Sequence, residues 1–314
     1  MDEEAKPPRE TESAVVLDLE TVPDLDAARR LLGFGPEAPD AEVRAALTDY
    51  CRRSGQEDKE VFVKSVLHKI VATSVILCRR TENTEKSRHW DVLRIATRHT
   101  GHGSERDNLE RLDQLLGPRR GTNEQPCIIG WNTTGFDLPV ARFRAVALRL
   151  PAQYLTYRKP AGIQDWKFKR ENGYSLPHDY WKRYAECHVD LMEVLANWSP
   201  GPKCKLVEIA AVLGLPGKAD GVEGSMVEAM VNEGRIEEVG RYCEGDVGLL
   251  YGVWLRYQLA CGHLDEKEHA QSWKSFADCA RGRGERFDHL QPLLDVADEE
   301  ARNAGLLPAE PAMA

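Results

Sequence analysis

Along this chain the spacing of apolar residues switches between the two-residue period of strands and the three-to-four-residue period of helices. Residues 14–20 form a short apolar run with the β-branched Val15 and Val16, as in a buried strand. Pro23-Asp24 breaks it, and helical spacing follows over residues 25–32 and 41–53. A second strand is predicted at 69–77 and a third at 90–97. Leu109, Leu112, Leu115 and Leu116 then mark a helix over 105–116. Another buried strand is predicted at 126–131, followed by a helix over 138–150 that Pro151 ends. Residues 151–186 mix Pro, Gly and aromatics without a period and predict a long, loosely structured loop. A short strand at 188–191 runs into a helix at 192–198, and more helices are predicted at 205–213, 226–233 and 236–260. The last carries glycines at 240, 245, 248 and 252, each of which costs helix stability.

Strands interleaved with short-looped helices predict an α/β domain: a mixed central sheet flanked by helices, with a helical insertion after the first strand and a helical C-terminal tail. The expected boundaries are a polar, proline-bearing and disordered stretch at 1–12, one domain at 13–262, and a partly disordered helical tail at 263–314. No apolar run approaches a membrane span, and the start Met1-Asp2-Glu3-Glu4 lacks the basic and apolar regions of a signal peptide. A cytoplasmic protein is therefore expected. The eight cysteines are scattered without a C-x-x-C pair, which fits reduced, mostly buried thiols better than a disulfide frame or a zinc site.

The net charge of −9 argues at first against a nucleic-acid partner, yet the charge is unevenly placed. Between Leu138 and Tyr184, ten basic residues (Arg142, Arg144, Arg149, Arg158, Lys159, Lys167, Lys169, Arg170, Lys182, Arg183) face three acids (Asp165, Glu171, Asp179). The same stretch holds nine aromatics: Phe143, Tyr154, Tyr157, Trp166, Phe168, Tyr174, Tyr180, Trp181 and Tyr184. Interleaved cations and rings suit a single strand, because bases stack while Lys and Arg follow phosphates. Most rings in a folded domain are nevertheless core.

Four carboxylates carry the candidate chemistry. Asp18 and Glu20 end the first strand, where alternate residues project to one face and two acids repel unless a cation joins them. Asp137 closes Asn132-Thr-Thr-Gly-Phe136-Asp137 at the start of a helix, directly after a buried strand. Tyr242 and Asp246 stand at i,i+4 on one face of the long helix, and among the nine tyrosines Tyr242 alone has an aspartate at that spacing. Each piece has an ordinary explanation: a strand-edge pair, an acid at a helix dipole, a chance tyrosine. Their joint occurrence in this order makes coincidence a poor account.

These motifs resemble those of DEDD-type 3′–5′ exonucleases with a ribonuclease-H-like fold. Arg241 stands five before Asp246, so the tyrosine subtype fits; His102/Asp107 has the histidine spacing but lies out of order. Asn132–Asp137 is similar to the second motif of family-B DNA polymerase proofreading domains. The stretches around Asp18–Asp24, His68–Ala72, His188–Leu191, Leu213–Lys218 and Tyr242–Asp246 resemble the stand-alone predicted exonucleases related to that domain.

The resemblance implies that Asp18, Glu20, Asp137 and Asp246 hold two divalent cations, Mg²⁺ or Mn²⁺, roughly 3.5–4 Å apart. It implies that Tyr242 orients the attacking water, and that the backbone at Leu19, with Thr21, Asn132 and Phe136, meets the last nucleotides. Lys167, Lys169 and Arg170 are the candidate phosphate contacts. Asp190 is expected to be structural or to support the ligands. The expected partner is single-stranded nucleic acid or a 3′ end, with DNA favoured over RNA. An exoribonuclease is the alternative within the enzyme class. A catalytically silent nucleic-acid-binding module is the alternative outside it, and retention of every carboxylate argues against it.

Overall fold

The strand predicted at residues 14–20 is the centre of the sheet. In the computed structural model, which describes residues 13–52, 61–82, 88–118, 124–161, 163–172, 176–182, 186–217 and 224–308, β1 (Ser13–Pro23) pairs on both sides. It runs antiparallel to β2 (His68–Glu82) and parallel to β4 (Cys127–Gly130). β3 (Arg88–His99) and β5 (His188–Asp190) complete the order β3-β2-β1-β4-β5. The sheet is mixed, as expected, because β2 and β3 form a meander and β4 and β5 return through helices. The stretch 1–12, the Pro/Ala run at 309–314 and Lys218 lie outside the described residues.

Alternation along β1 divides the core. Val15, Leu17 and Leu19 point to one face, against α3 (Glu105–Leu116) and α4 (Asp137–Ala147). Ala14 and Val16 point to the other, beneath α9 (Ile236–Ala260). The helical insertion after β1 is α1 (Leu25–Leu32) and α2 (Asp40–Cys51), which close over Val63 and Leu67. Between α4 and β5 the chain is mostly irregular, as its composition suggested, but holds one short helix, α5 (Asp165–Asn172). Three more short helices, α6 (Leu191–Leu195), α7 (Leu206–Val212) and α8 (Val227–Asn232), lead to α9.

Helix α9 matches the predicted span, and Gly240, Gly248 and Gly252, though not Gly245, have a packing reason. A Cβ on Gly252 would lie 2.7 Å from the buried Trp273 ring. The helix thus gives up about 1 kcal/mol of propensity for a close approach to its neighbour. That neighbour is the tail: α10 (Glu266–Arg281) and α11 (Gln291–Asn303) bury Trp273, Phe276, Leu293 and Leu294 in the same core as Val247 and Leu250 of α9. Large apolar side chains buried this fully contribute about 1.5–3 kcal/mol each. The tail also caps a sheet edge. Trp90 and Val92 of β3 donate their N–H groups to the hydroxyls of Ser272 and Ser275 at 3.0 and 2.9 Å, so α10 covers the edge strand.

Candidate active site

The acid-bearing end of β1 lies where the sheet opens. The recorded pairing with β4 ends at Val16↔Ile129, and a register shift between Glu20 and Thr21 interrupts the pairing with β2. The first residue of α4 enters the gap: Asp137 Oδ1 accepts the Leu19 N–H at 3.1 Å. The turn that delivers it is tightly specified. Asn132 sits in the left-handed region at φ 60°, and a Cβ on Gly135 would lie 2.5 Å from Asn132 Oδ1. Asp190, fully buried at the end of β5, accepts the N–H groups of Asn132 and Thr134 at 2.9 and 2.8 Å and caps α6. It therefore holds the turn, in the supporting role expected of it.

Asp137 is buried, and its carboxylate receives the N–H of Leu19 and its own N–H. Burial, with a smaller contribution from Asp190, pushes its carboxyl up to about 7. Asp18 and Glu20 share the α9 side of β1, as the two-residue period requires, and Glu20 is buried. Cys243 of α9 meets them: its Sγ lies 3.4 Å from Asp18 Oδ2 and 3.5 Å from Asp18 O. Ligand atoms of Asp18, Glu20 and Cys243 all fall within 4.8 Å of one another. The thiol was overlooked in the sequence because one cysteine inside a helical motif reads as core.

Tyr242 and Asp246 complete the group from one face of α9. Burial raises the Tyr242 phenol well above its usual range, and the charges of Asp246, Glu20 and Asp18 add to the effect. That influence puts all three carboxylates beside the phenol, which also hydrogen-bonds Asp246. The hydroxyl therefore stays protonated at neutral pH. Asp18, Glu20 and Asp246 thus lie beside Tyr242, while Asp137 is tied to the same strand end through the Leu19 N–H. Carboxylate oxygens are hard ligands, and the chemistry of this donor set fits divalent cations.

An aromatic cluster borders these acids. Phe136 packs edge-on to His68 and Phe62, with ring centroids 5.2 and 5.4 Å away, while Phe62 stacks on His68 at 5.9 Å. His68 Nε2 donates to Val63 O at 3.1 Å, which leaves Nδ1 to accept the Thr21 hydroxyl at 2.9 Å. Phe62 is 68% exposed. Sequence reasoning missed it because a lone phenylalanine in a polar stretch has no periodic signal.

The cation–aromatic segment divides. Arg144 binds Glu105 at 2.6 and 2.7 Å and Asp24 at 2.5 Å, and Arg142 donates to the carbonyls of Leu155 and Tyr180. These two cations are structural, so the phosphate-facing surplus is smaller than the sequence count. Tyr180 is core, whereas Phe143 and Trp181 are exposed. Lys167 and Lys169 are exposed on α5 and make no ion pair among the described residues. The side chains of Trp166 and Arg170, and all of Tyr174, Arg183 and Tyr184, lie outside the described residues.

A second set of possible ligands, His99, His102 and Glu237, lies at the other end of β3 and the start of α9. His99 Nδ1 accepts the Gly101 N–H at 3.2 Å, so its proton sits on Nε2 and points to Glu237 at 3.1 Å. A metal at Nε2 would need that proton on Nδ1, and the set reads as a hydrogen-bonded clamp.

Among known proteins, the family described as "predicted 3′–5′ exonuclease related to the exonuclease domain of PolB" matches residues 60–295. The matched span takes in Asp137, Tyr242, Asp246 and much of the tail, and begins after Asp18 and Glu20. No curated protein matches the chain. Among the described residues, no helix is long and apolar enough to cross a membrane.

Proposed function

The chain belongs to the family of predicted 3′–5′ exonucleases related to the PolB exonuclease domain, and from that premise we propose that it removes nucleotides from 3′ ends of single-stranded DNA by metal-dependent phosphodiester hydrolysis. The observation that supports this reading is that Asp18, Glu20 and Asp246 lie beside the Tyr242 phenol while Asp137 holds the Leu19 N–H between the first two.

In the proposed mechanism, Asp18, Glu20, Asp137 and Asp246 are the ligands of two divalent cations, Mg²⁺ or Mn²⁺. When bound, these ions supply Lewis-acid stabilisation of the scissile phosphate and acidify the attacking water. The Leu19 N–H holds Asp137 in orientation, and the same strand-end backbone is assigned to the last nucleotide. Asp190 fixes the turn that carries Asp137. Tyr242, kept protonated by burial and by its acidic surroundings, positions water by its hydroxyl and is not a base.

Phe136 and Phe62 form an aromatic wall for the last nucleotide, braced by His68 of β2, which Thr21 of the acid-bearing strand holds. Asn132 shapes the turn on which Phe136 stands. Lys167, Lys169 and Arg170 are assigned to the strand's phosphates further from the end. The preference for DNA over RNA is part of the proposal. It is tested by incubating purified protein with 5′-labelled single-stranded DNA, RNA and recessed duplexes, with Mn²⁺ or with EDTA. A ladder of strands shortened from the 3′ end, strongest on single-stranded DNA and absent in EDTA, supports it. An equal or stronger ladder on RNA replaces it with the exoribonuclease reading.

A further inference from the structure

The outer face of α4 carries Pro139, Phe143 and Val146 at the three-to-four-residue spacing of one helix stripe. A stripe of this kind normally faces the core, yet Phe143 is 44% and Val146 76% exposed. The stripe forms one wall of a cleft of about 480 Å³, and Thr134, Trp181 and Trp198 contribute to the others. That volume is in the range of small-ligand sites. Thr134 and Pro139 flank Asp137 in sequence, so the inner end of the cleft adjoins the turn that carries this acid.

Two features hold the aromatic walls in place. The Arg142 guanidinium lies 3.8 Å from the Trp181 ring centre and is fixed by the carbonyls of Leu155 and Tyr180, while Arg158 approaches the same ring at 5.3 Å. Asn197 and Trp198 both adopt left-handed backbone, at φ 49° and 54°, a conformation that asparagine tolerates and tryptophan rarely adopts. Trp198 N–H closes this turn onto Glu193 O at 2.8 Å. Strained backbone that presents a tryptophan at a cleft is characteristic of ligand clamps.

We propose that this cleft is an auxiliary site for an unstacked nucleobase of a single strand, away from the strand's reacting end. The occupant follows from the lining. Rings accept the face of any base, while Lys182 in the lining and Arg158 beside the Trp181 ring suit the adjoining phosphate. Continuity with the Asp137 turn puts the site on the path of a strand whose 3′ end reaches the acids. The inference rests on the exonuclease reading for that path, but base binding in the cleft can be measured without catalysis.

The experiment compares full-length wild type, Phe143→Ala and Phe143→Tyr by fluorescence anisotropy in Ca²⁺. The probes are an oligothymidylate and an abasic oligomer of the same length, which has sugar and phosphate but no bases. Phe143 is half-exposed, so its removal leaves the fold in place, and the tyrosine variant keeps the ring. Wild type and Phe143→Tyr are expected to prefer the strand with bases. Phe143→Ala should lose roughly five- to a hundredfold in affinity for that strand and little for the abasic one. Gln at both Arg158 and Lys182 should flatten the salt dependence for both probes. A Phe143→Ala protein that keeps the wild-type preference overturns the cleft assignment, and that includes the case in which the stripe docks a protein partner. Strand shortening in Mn²⁺ is scored separately. Lost base preference without shortening leaves the cleft standing and removes the exonuclease reading, whereas shortening with unchanged preference does the reverse.

Discussion

Helix α4 begins at one buried carboxylate and, two turns later, carries the cation that neutralises two others. At its far end Arg144 spans Asp24 and Glu105, all three largely buried. Asp24 also caps α1, Glu105 also accepts the Ile70 N–H, and Asp24 titrates below its usual range. At its near end Asp137 has, among the described residues, only backbone N–H partners and titrates upward. Buried charge is tolerated when paired and hydrogen-bonded, and is otherwise costly. Acids that a fold has already compensated are structural. In the proposed reading, Asp137 and its neighbours obtain their compensation from cations outside the chain.

That contrast predicts opposite failures. Asp18→Ala or Asp137→Ala should lower strand cleavage by at least about a thousandfold while thermal stability stays level or rises, since a carboxylate in a half-buried or buried acidic site is removed. Parallel single-turnover kinetics and melting curves check this, and a variant with wild-type rate at saturating Mg²⁺ breaks the comparison. Arg144→Met should do the reverse. It leaves Asp24 and Glu105 buried without their cation and should cost about 3–5 kcal/mol in denaturant unfolding. Cleavage per folded molecule should hold near wild type.

The same contrast separates Tyr242 from Asp246 on one helix face. Tyr242→Phe keeps the ring and deletes the hydroxyl, so kcat should fall roughly ten- to a thousandfold with KM and Mn²⁺ affinity near normal. Asp246→Asn should weaken Mn²⁺ binding as well as rate. Full activity in Tyr242→Phe would return the tyrosine to helix packing.

The acids were legible because each sits at a boundary the sequence marks: the end of a β-branched run, a turn after an apolar strand, an i,i+4 pair on a long helix. The strands and α9 were legible for the same reason. What stayed hidden depends on contacts between distant segments. Arg144 read as part of a basic surface, although Asp24 and Glu105, far from it in sequence, bury it. Phe62 and Cys243 gained meaning only from Phe136 and Asp18. Tyr180 could not be told from Trp181 by composition, yet one is buried and the other exposed.

A smaller effect concerns the loop that supports Asp137. His188 is buried against the Thr133 hydroxyl at 2.9 Å, and burial, with the Arg142 charge, lowers its pKa to about 4. The unfolded chain takes up this proton near pH 6.5 and the folded chain does not. Stability is therefore complete above about pH 6.5 and is lost as pH falls toward about 4, by on the order of 2–3 kcal/mol. Urea unfolding across that window should show the slope in wild type and a flatter one in His188→Asn. An unchanged slope would assign the acid sensitivity to other groups.

The central claim is that the carboxylates at the open end of β1 bind catalytic cations. Calorimetric Mn²⁺ titration of wild type beside Asp18→Ala and Asp137→Ala tests it most directly. The account predicts about two ions per chain in wild type and the loss of at least one in each variant. Wild-type protein that takes up no Mn²⁺, or variants whose isotherms match it, would contradict the claim.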